Sequence, residues 1–181
     1  MIQSKEELKE WIEVETGNYL RGNWIKRFAL QYLVPDPIYL YIKTLRKCEY
    51  LHNCPTVCCK KIRTAYYDYK LRKLQFRTGV EIQINTVDKG LCIHHHGGVI
   101  INGGVRIGKN CNIRPFTVIG NKSDKLNSEV PIIGDNVNIG ANVTIIGNIK
   151  IGNNVIIGAG SVVVNNISDN TVVVGNPAHI I

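Results

Sequence analysis

Ile133-Gly134-Asp135-Asn136-Val137-Asn138-Ile139-Gly140-Ala141-Asn142-Val143-Thr144-Ile145 sets an aliphatic residue at every sixth position. The same step runs back through Ile101, Ile107, Ile113 and Ile119, and on through Ile151, Ile157 and Val163. Gly follows the aliphatic at 108, 120, 134, 140, 152 and 158. Four residues after each aliphatic comes a small or β-branched side chain: Val105, Cys111, Thr117, Val137, Val143, Ile149, Val155, Ser161. A period of six fits neither a helix of about 3.6 residues per turn nor a strand alternating in twos. It is the period of a parallel β-helix, in which each hexad makes one flat face of a coil. The repeated aliphatic is expected to point inward and stack on its copies. The Gly or Asn after it is expected to take the corner, where positive φ is needed. A β-sandwich with glycine turns is the competing reading, and sandwich strands do not repeat in hexads.

The chain has 181 residues, enough for one main domain with an appendage. It lacks a run of 18 apolar residues, so no transmembrane helix is expected. Met1-Ile2-Gln3-Ser4-Lys5-Glu6-Glu7 does not have the basic-then-apolar order of a signal peptide, and a cytoplasmic location is expected. Cys48, Cys54, Cys58, Cys59, Cys92 and Cys111 include three set in apolar patterns, as reduced core thiols are. The net charge of +8 divides into +6 over residues 1–85 and +2 over residues 86–181. Such a surface suits an acidic partner (nucleic acid, a membrane surface or a phosphorylated ligand) or is a solvated helix face.

Residues 1–78 read as a helical domain, and 79–181 as the β-helix. Ser4-Lys5-Glu6-Glu7 is a capping box opening a helix through Leu8, Trp11 and Ile12. A second helix is predicted near Trp24–Leu33, before Pro35-Asp36-Pro37, and a third over Ile38–Leu51. A fourth, over Val57–Arg77, should carry Ile62, Tyr66, Tyr69 and Leu74 inward and its lysines and arginines outward. His52, Cys54, Cys58 and Cys59 crowd together without a zinc-ligand spacing. From Val80-Glu81-Ile82 the coils begin, and the last is expected to end near Asn165-Asn166. Ile119 to Ile133 is 14 residues, read as two hexads plus two, with Asn121–Pro131 thrown out as a polar loop.

Three adjacent histidines, His94-His95-His96, precede Gly97-Gly98. On an extended strand they alternate faces, so they cannot converge on one ion, and no metal site is expected. Counting back by sixes from Ile101 puts His95 on the line of stacked aliphatics. A general base is the favoured role for a histidine here, with a plain structural histidine and a metal ligand as the alternatives. Ile93-His94-His95-His96-Gly97-Gly98-Val99-Ile100-Ile101-Asn102, Ile113-Arg114-Pro115-Phe116-Thr117-Val118-Ile119-Gly120-Asn121, Gly158-Ala159-Gly160-Ser161-Val162-Val163 and Gly175-Asn176-Pro177-Ala178 together resemble the serine acetyltransferase family. They are most similar to its short colanic-acid and capsule-type O-acetyltransferases. The resemblance covers about residues 79–181.

The resemblance implies a left-handed parallel β-helix, an acetyl-CoA-dependent O-acetyltransferase, and a homotrimer with active sites between neighbouring prisms. In longer serine acetyltransferases the helical region pairs trimers. By the same resemblance His95 is the catalytic base, with His94 standing where the family has Asp. Val130, before Pro131, stands where serine acetyltransferases have a second histidine. Both departures count against serine as acceptor and leave a sugar of a capsule or exopolysaccharide as the expected one. His94, His96, Asp36 and Glu81 are candidate supporting groups. Gly158, Ala159 and the turn at Gly175 and Pro177 are CoA-side by resemblance. Gly140 and Ala141 join them as small corners, Gly120 or Gly97-Gly98 as a source of oxyanion donors, and Lys150 and Lys122 as phosphate-binding cations. Cys92 and Cys111 fit inward apolar positions better than nucleophilic ones. Serine O-acetylation, a metal-dependent hexapeptide enzyme and a non-catalytic scaffold are the other readings. The basic fourth helix could also lean on an anionic membrane; no nucleic-acid partner is expected.

Overall fold

The computed structural model describes residues 1–17, 19, 35–122 and 129–181. Trp24–Leu33 lies outside the described residues, as do residues 123–128 of the expected loop. The chain forms two compact units, Met1–Gly79 and Val80–Ile181.

The first unit holds α1 (Lys5–Thr16), α2 (Pro37–Asn53) and α3 (Lys60–Thr78). The Ser4 hydroxyl accepts from the Glu7 N–H at 3.0 Å, and the Glu7 carboxylate accepts from the Gln3 N–H at 2.7 Å, so the capping box closes one residue upstream of its usual form. Asp36 caps α2, its Oδ1 accepting from the N–H groups of Ile38 and Tyr39 at 2.7 and 3.3 Å. Inside the unit, buried Arg46 donates two hydrogen bonds to Glu15, at 2.6 and 2.8 Å, and a third to Glu49 at 2.8 Å. Its guanidinium lies 4.8 Å from the Trp11 ring centroid. Burial alone would lower its pKa; the two carboxylates outweigh that and hold the cation charged.

Helix α3 corrects one expectation. Its buried side chains are Leu71, Leu74 and Thr78, whereas Ile62, Tyr66 and Tyr69 are exposed. At 100° per residue, Ile62, Tyr66 and Tyr69 share one side, and Leu71 and Thr78 lie nearly opposite. The helix has two apolar stripes, and the hydrophobic pattern alone does not say which one packs.

The second unit is a three-faced parallel β-helix of five coils. One face stacks β1 (Val80–Ile82), β3 (Val99–Ile101), β6 (Thr117–Gly120), β9 (Thr144–Ile146) and β12 (Val162–Val163). The next stacks β4 (Arg106–Ile107), β7 (Ile132–Ile133) and β10 (Lys150–Ile151). The third stacks β2 (Cys92–Ile93), β5 (Asn112–Ile113), β8 (Asn138–Ile139), β11 (Ile156–Ile157) and β13 (Val172–Val174), with β14 (His179–Ile180) antiparallel at its end. The hexad aliphatics stack in register, as in Ile93↔Ile113↔Ile139↔Ile157↔Val173, and all are buried.

Four interruptions alter the count, the smallest a step of five from Ile82 to Val87 in the first coil. Ile93 and Ile101 are the inward residues of successive faces, eight apart, so the histidine turn carries two extra residues. His95 therefore leaves the inward line on which hexad counting placed it; Ile93 takes that line. Ile119 and Ile133 also lie on successive faces, so the 14-residue gap is one hexad with eight residues inserted. Val163 has no counterpart six residues on; the next inward aliphatic is Ile167, a step of four, and a fifth coil continues through Val173 beyond the expected end at Asn165-Asn166.

The glycines also act differently from expectation. Positive φ falls on Asn110, Asn136, Asn154 and Asn170, three residues after the inward aliphatic. Their amides form a ladder, each Nδ2 donating to the Oδ1 of the next coil at 3.2, 3.0 and 2.8 Å. Asn tolerates the left-handed region better than other residues with a Cβ, and here its side chain is also partnered. The glycines that follow the aliphatics face the next coil. A Cβ at Gly134 would stand 2.6 Å from Asn153 Oδ1 and 2.8 Å from the Gly152 carbonyl group. At Gly120 it would meet nothing closer than Asn102 Cβ at 3.6 Å.

Gly134→Ala is expected to cost about 1–3 kcal/mol in urea unfolding, as overpacking against backbone does, and Gly120→Ala to be neutral or slightly stabilising. Equal losses at both would return the glycines to a purely conformational role. The six thiols are free; Cys58 and Cys59 are exposed and Cys48, Cys54, Cys92 and Cys111 buried. Burial, with Asp68 nearby, pushes the Cys48 thiol up to about 12, and burial pushes Cys111 to about 11. Titration with a thiol reagent near neutral pH should label two cysteines quickly and four only in denaturant. Unfolded cysteine ionises near 8.5, so the unfolded chain loses these protons first and stability should fall as pH rises from about 8.5 toward 11.

Candidate functional site

Each coil turns from the third face to the first along one edge of the prism. Stacked there are the His94–Gly98 turn, Arg114-Pro115-Phe116, Gly140-Ala141-Asn142, Gly158-Ala159-Gly160 and Gly175–Ala178. The Arg114 N–H donates to the Ile139 carbonyl at 3.2 Å, Asn142 to Pro115 at 2.9 Å, and Gly160 to Ala141 at 2.8 Å. Coils about 4.8 Å apart put the last turn about 19 Å below the first. This edge collects His95, Gly140, Ala141, Gly158, Ala159, Gly175 and Pro177 in one column. Within the β-helix it does not collect Gly120, Lys150 or Glu81.

The histidine turn is held from below. His94 is half-buried, its Nε2 3.2 Å from Asn112 Oδ1 and 3.6 Å from Cys92 Sγ. Cys92 pairs in register with Asn112 on the outer side of its face, so it is not the inward thiol expected. Cys111, fully buried, is. A Cβ at Gly97 would come within 2.7 Å of Pro115 Cβ, so only glycine lets the turn sit on Pro115. His95 adopts φ 66° and is exposed, as is His96. Among the described residues no carboxylate lies within ion-pair distance of His95. The Gly97 and Gly98 N–H groups likewise donate to no partner among the described residues. The edge thus presents an imidazole and two unused donors above Arg114-Pro115-Phe116, with the small residues of Gly140-Ala141 and Gly158-Ala159-Gly160 further down.

Gly140 and Gly158 are first of all packing residues. A Cβ at Gly140 would meet the Ala159 N at 2.5 Å, and one at Gly158 would meet Val174 Cγ1 at 2.6 Å. Gly160, at φ 73°, has open space around it. Asp36 is occupied at the head of α2. Glu81 and Gly120 line a cavity of about 620 Å³ with Gln83, Ile100, Asn102 and Asn121, at the other edge of the first face. Sequence reasoning missed this cavity; its signal is the pair Asn102 and Asn121, whose side chains meet at 3.4 Å beside the eight-residue insertion. Lys150 is exposed on the second face, Lys122 is exposed at the root of the insertion, and Val130 is buried there. No group of three or more metal-ligating side chains occurs among the described residues. None of the described helices is long and apolar enough to cross a membrane.

The bacterial transferase hexapeptide family (six repeats) matches residues 131–165. A protein of Escherichia coli K12 named colanic acid biosynthesis acetyltransferase WcaB is 46% identical over 103 residues, 56% of this chain and 63% of that protein. A serine acetyltransferase of Staphylococcus epidermidis is 43% identical over 108 residues, 59% of this chain and 51% of its own. The alignments therefore span between half and two thirds of these relatives' lengths. The crystal structure of Neisseria gonorrhoeae serine acetyltransferase superposes with a TM-score of 0.75 and 27% identity, covering 98% of this chain and 66% of that one. With its hexads stacked in three parallel faces, the chain is a left-handed β-helix carrying the bacterial transferase hexapeptide, similar over its β-helix to WcaB and to the serine acetyltransferases.

Proposed function

We propose that the chain transfers an acetyl group from acetyl-CoA to a hydroxyl of a sugar, as in capsule or exopolysaccharide biosynthesis, with His95 as general base. The observation that carries this is the exposed His95 imidazole at the head of an edge whose lower turns are built of small residues, in a chain similar to named acetyltransferases. An alcohol is barely ionised at neutral pH, so a base must take its proton as the oxygen attacks the thioester carbonyl carbon. The tetrahedral oxyanion is held by the Gly97 and Gly98 N–H groups. On its collapse the C–S bond breaks, and the departing thiolate takes the proton back from the imidazolium. The acetylated acceptor and free CoA leave with no covalent enzyme intermediate.

His94, tied to Asn112, and His96 shape the turn. The thioester arm runs down the column past Ala141 and Ala159 toward Gly175 and Pro177. Lys150 and Lys122 are the cations offered to its phosphates. A sugar is preferred to serine because His94 and Val130 replace the polar groups that would hold a small zwitterion. The working form is a homotrimer with each site between neighbouring prisms, which exposed Ile100 and Val118, stacked on one outer face, favour. The reaction is assigned to the cytoplasm, and catalysis to the β-helix rather than to the helical unit.

Free thiol release from acetyl-CoA should be seen with sugar nucleotides or oligosaccharides, and His95→Gln should lower it about 10²- to 10⁴-fold with folding unchanged. Rapid turnover of L-serine with none on any sugar would establish the serine reading instead. In solution the mass should correspond to three copies of the 20.2 kDa chain, about 61 kDa, or to twice that.

A further inference from the structure

The solvent side of α3 has its own organisation. Ile62, Tyr66, Tyr69 and Phe76 recur at helical spacing along one stripe and are 75%, 57%, 58% and 93% exposed. Lys73 sits in the same stripe, its Nζ 4.9 Å from the Tyr69 ring centroid. At 100° per residue, Arg63, Lys70 and Arg77 flank one margin of the stripe, and Lys61 and Arg72 flank the other. The helix carries seven Lys/Arg and a single acidic residue, Asp68, which is engaged with His52 at 3.1 Å. The stripe is opposite the side that packs, so among the described residues of the helical unit nothing requires these four side chains to be apolar.

A second observation lies beside it. A cavity of about 300 Å³ among the three helices is lined by Lys5, Lys47, Arg63, Tyr50 and Tyr67 over a floor of Leu8 and Leu51. Its lining has three cations, two phenols and no carboxylate. Lys47 donates to the Tyr67 hydroxyl at 3.2 Å, which leaves two of its ammonium protons for a ligand. Arg63 belongs both to this cavity and to the margin of the stripe.

We propose that α3 docks the chain on an anionic phospholipid surface. The stripe enters the boundary between headgroups and acyl chains, and the flanking cations meet the lipid phosphates, one of which is seated between Lys5, Lys47 and Arg63. An apolar-aromatic stripe bordered on both sides by cations is the arrangement of a helix that lies in a bilayer interface. Duplex nucleic acid matches the charge but offers no apolar depth for Ile62 and Phe76. A second copy matches the apolar stripe but brings seven like charges against seven. The proposal stands independently of acetyl transfer, because it rests on residues outside the β-helix.

The test is sedimentation of the full chain with vesicles of phosphatidylcholine alone and of phosphatidylcholine with phosphatidylglycerol. Binding is expected only with the anionic lipid, and should weaken in high salt. Lys70→Gln with Arg77→Gln should reduce partitioning about thirtyfold, at roughly fivefold per cation. Ile62→Ser with Phe76→Ser should reduce it at least as much, while Val14→Ser, on exposed α1 surface, should leave it unchanged. Equal binding to both vesicles, no binding to either, or variants that bind as the parent does would overturn the proposal. So would complete displacement by millimolar inorganic phosphate, which would identify a free-phosphate site, or duplex DNA binding that survives the Ile62→Ser with Phe76→Ser change while vesicles are ignored.

Discussion

The β-helix depends on one constraint: each coil must lie directly on the next, about 4.8 Å away, so that its N–H and C=O groups pair along the prism axis. This demands three things of the hexads. An aliphatic must fill the interior, the residue after it must leave room where neighbouring backbones meet, which only glycine does at 108, 134, 140, 152 and 158, and most corners need a residue that tolerates positive φ. The asparagine column meets the last demand and adds to stacking, because the amide of Asn110 is partnered by Asn136, then Asn154, then Asn170. Beside it runs a second column, in which the Asp135, Asn153 and Asp169 side chains accept the N–H groups of Lys109, Asp135 and Asn153 at 2.7–2.8 Å. Corner groups that would otherwise need water are thereby satisfied within the fold.

Such a stack tolerates change in chain length only at its edges. Residues added within a face would move an aliphatic off the interior line and flip the pleat, whereas residues added at a corner leave both neighbouring faces in register. The two longest departures from the hexad count obey this rule. The histidine turn adds two residues between Ile93 and Ile101, and the segment before Ile133 adds eight. The chemistry proposed for the chain lies at the first, and the 620 Å³ cavity at the second. A rigid scaffold displaying its irregular segments at fixed edges is a general way to position reactive groups.

Periodicity made most of the architecture legible, because the interior leaves no freedom at Ile101 through Val163. It failed where the count changes. Spacing alone put His95 on the interior line; only the local motif, ending in Gly97-Gly98, pointed to an exposed turn. Spacing also divided the 14 residues before Ile133 wrongly, since a gap can be split in several ways until the paired faces are known. The glycines invited a conformational reading because glycine is the usual solution at positive φ, yet here asparagine turns the corner and glycine supplies room. In α3 the ambiguity is of another kind: a helix with apolar residues on opposite sides has no unique inward face, and tertiary packing chose Leu71 and Leu74 over Ile62 and Tyr66.

The placement of the two interruptions bears on how a complete site is assembled. Within one copy, the histidine turn enters the first face and the eight-residue insertion leaves it, so the width of that face separates them. In the proposed trimer an acceptor held by both segments would draw them from two copies, an arrangement that cyclic symmetry repeats three times without leaving an open interface. The outward Ile100 and Val118 lie on the intervening face, where apolar surface would be covered in such an assembly. An acceptor that relies on the histidine turn alone is under no such requirement, so dependence of acceptor affinity on the insertion is tied to dependence on oligomerisation.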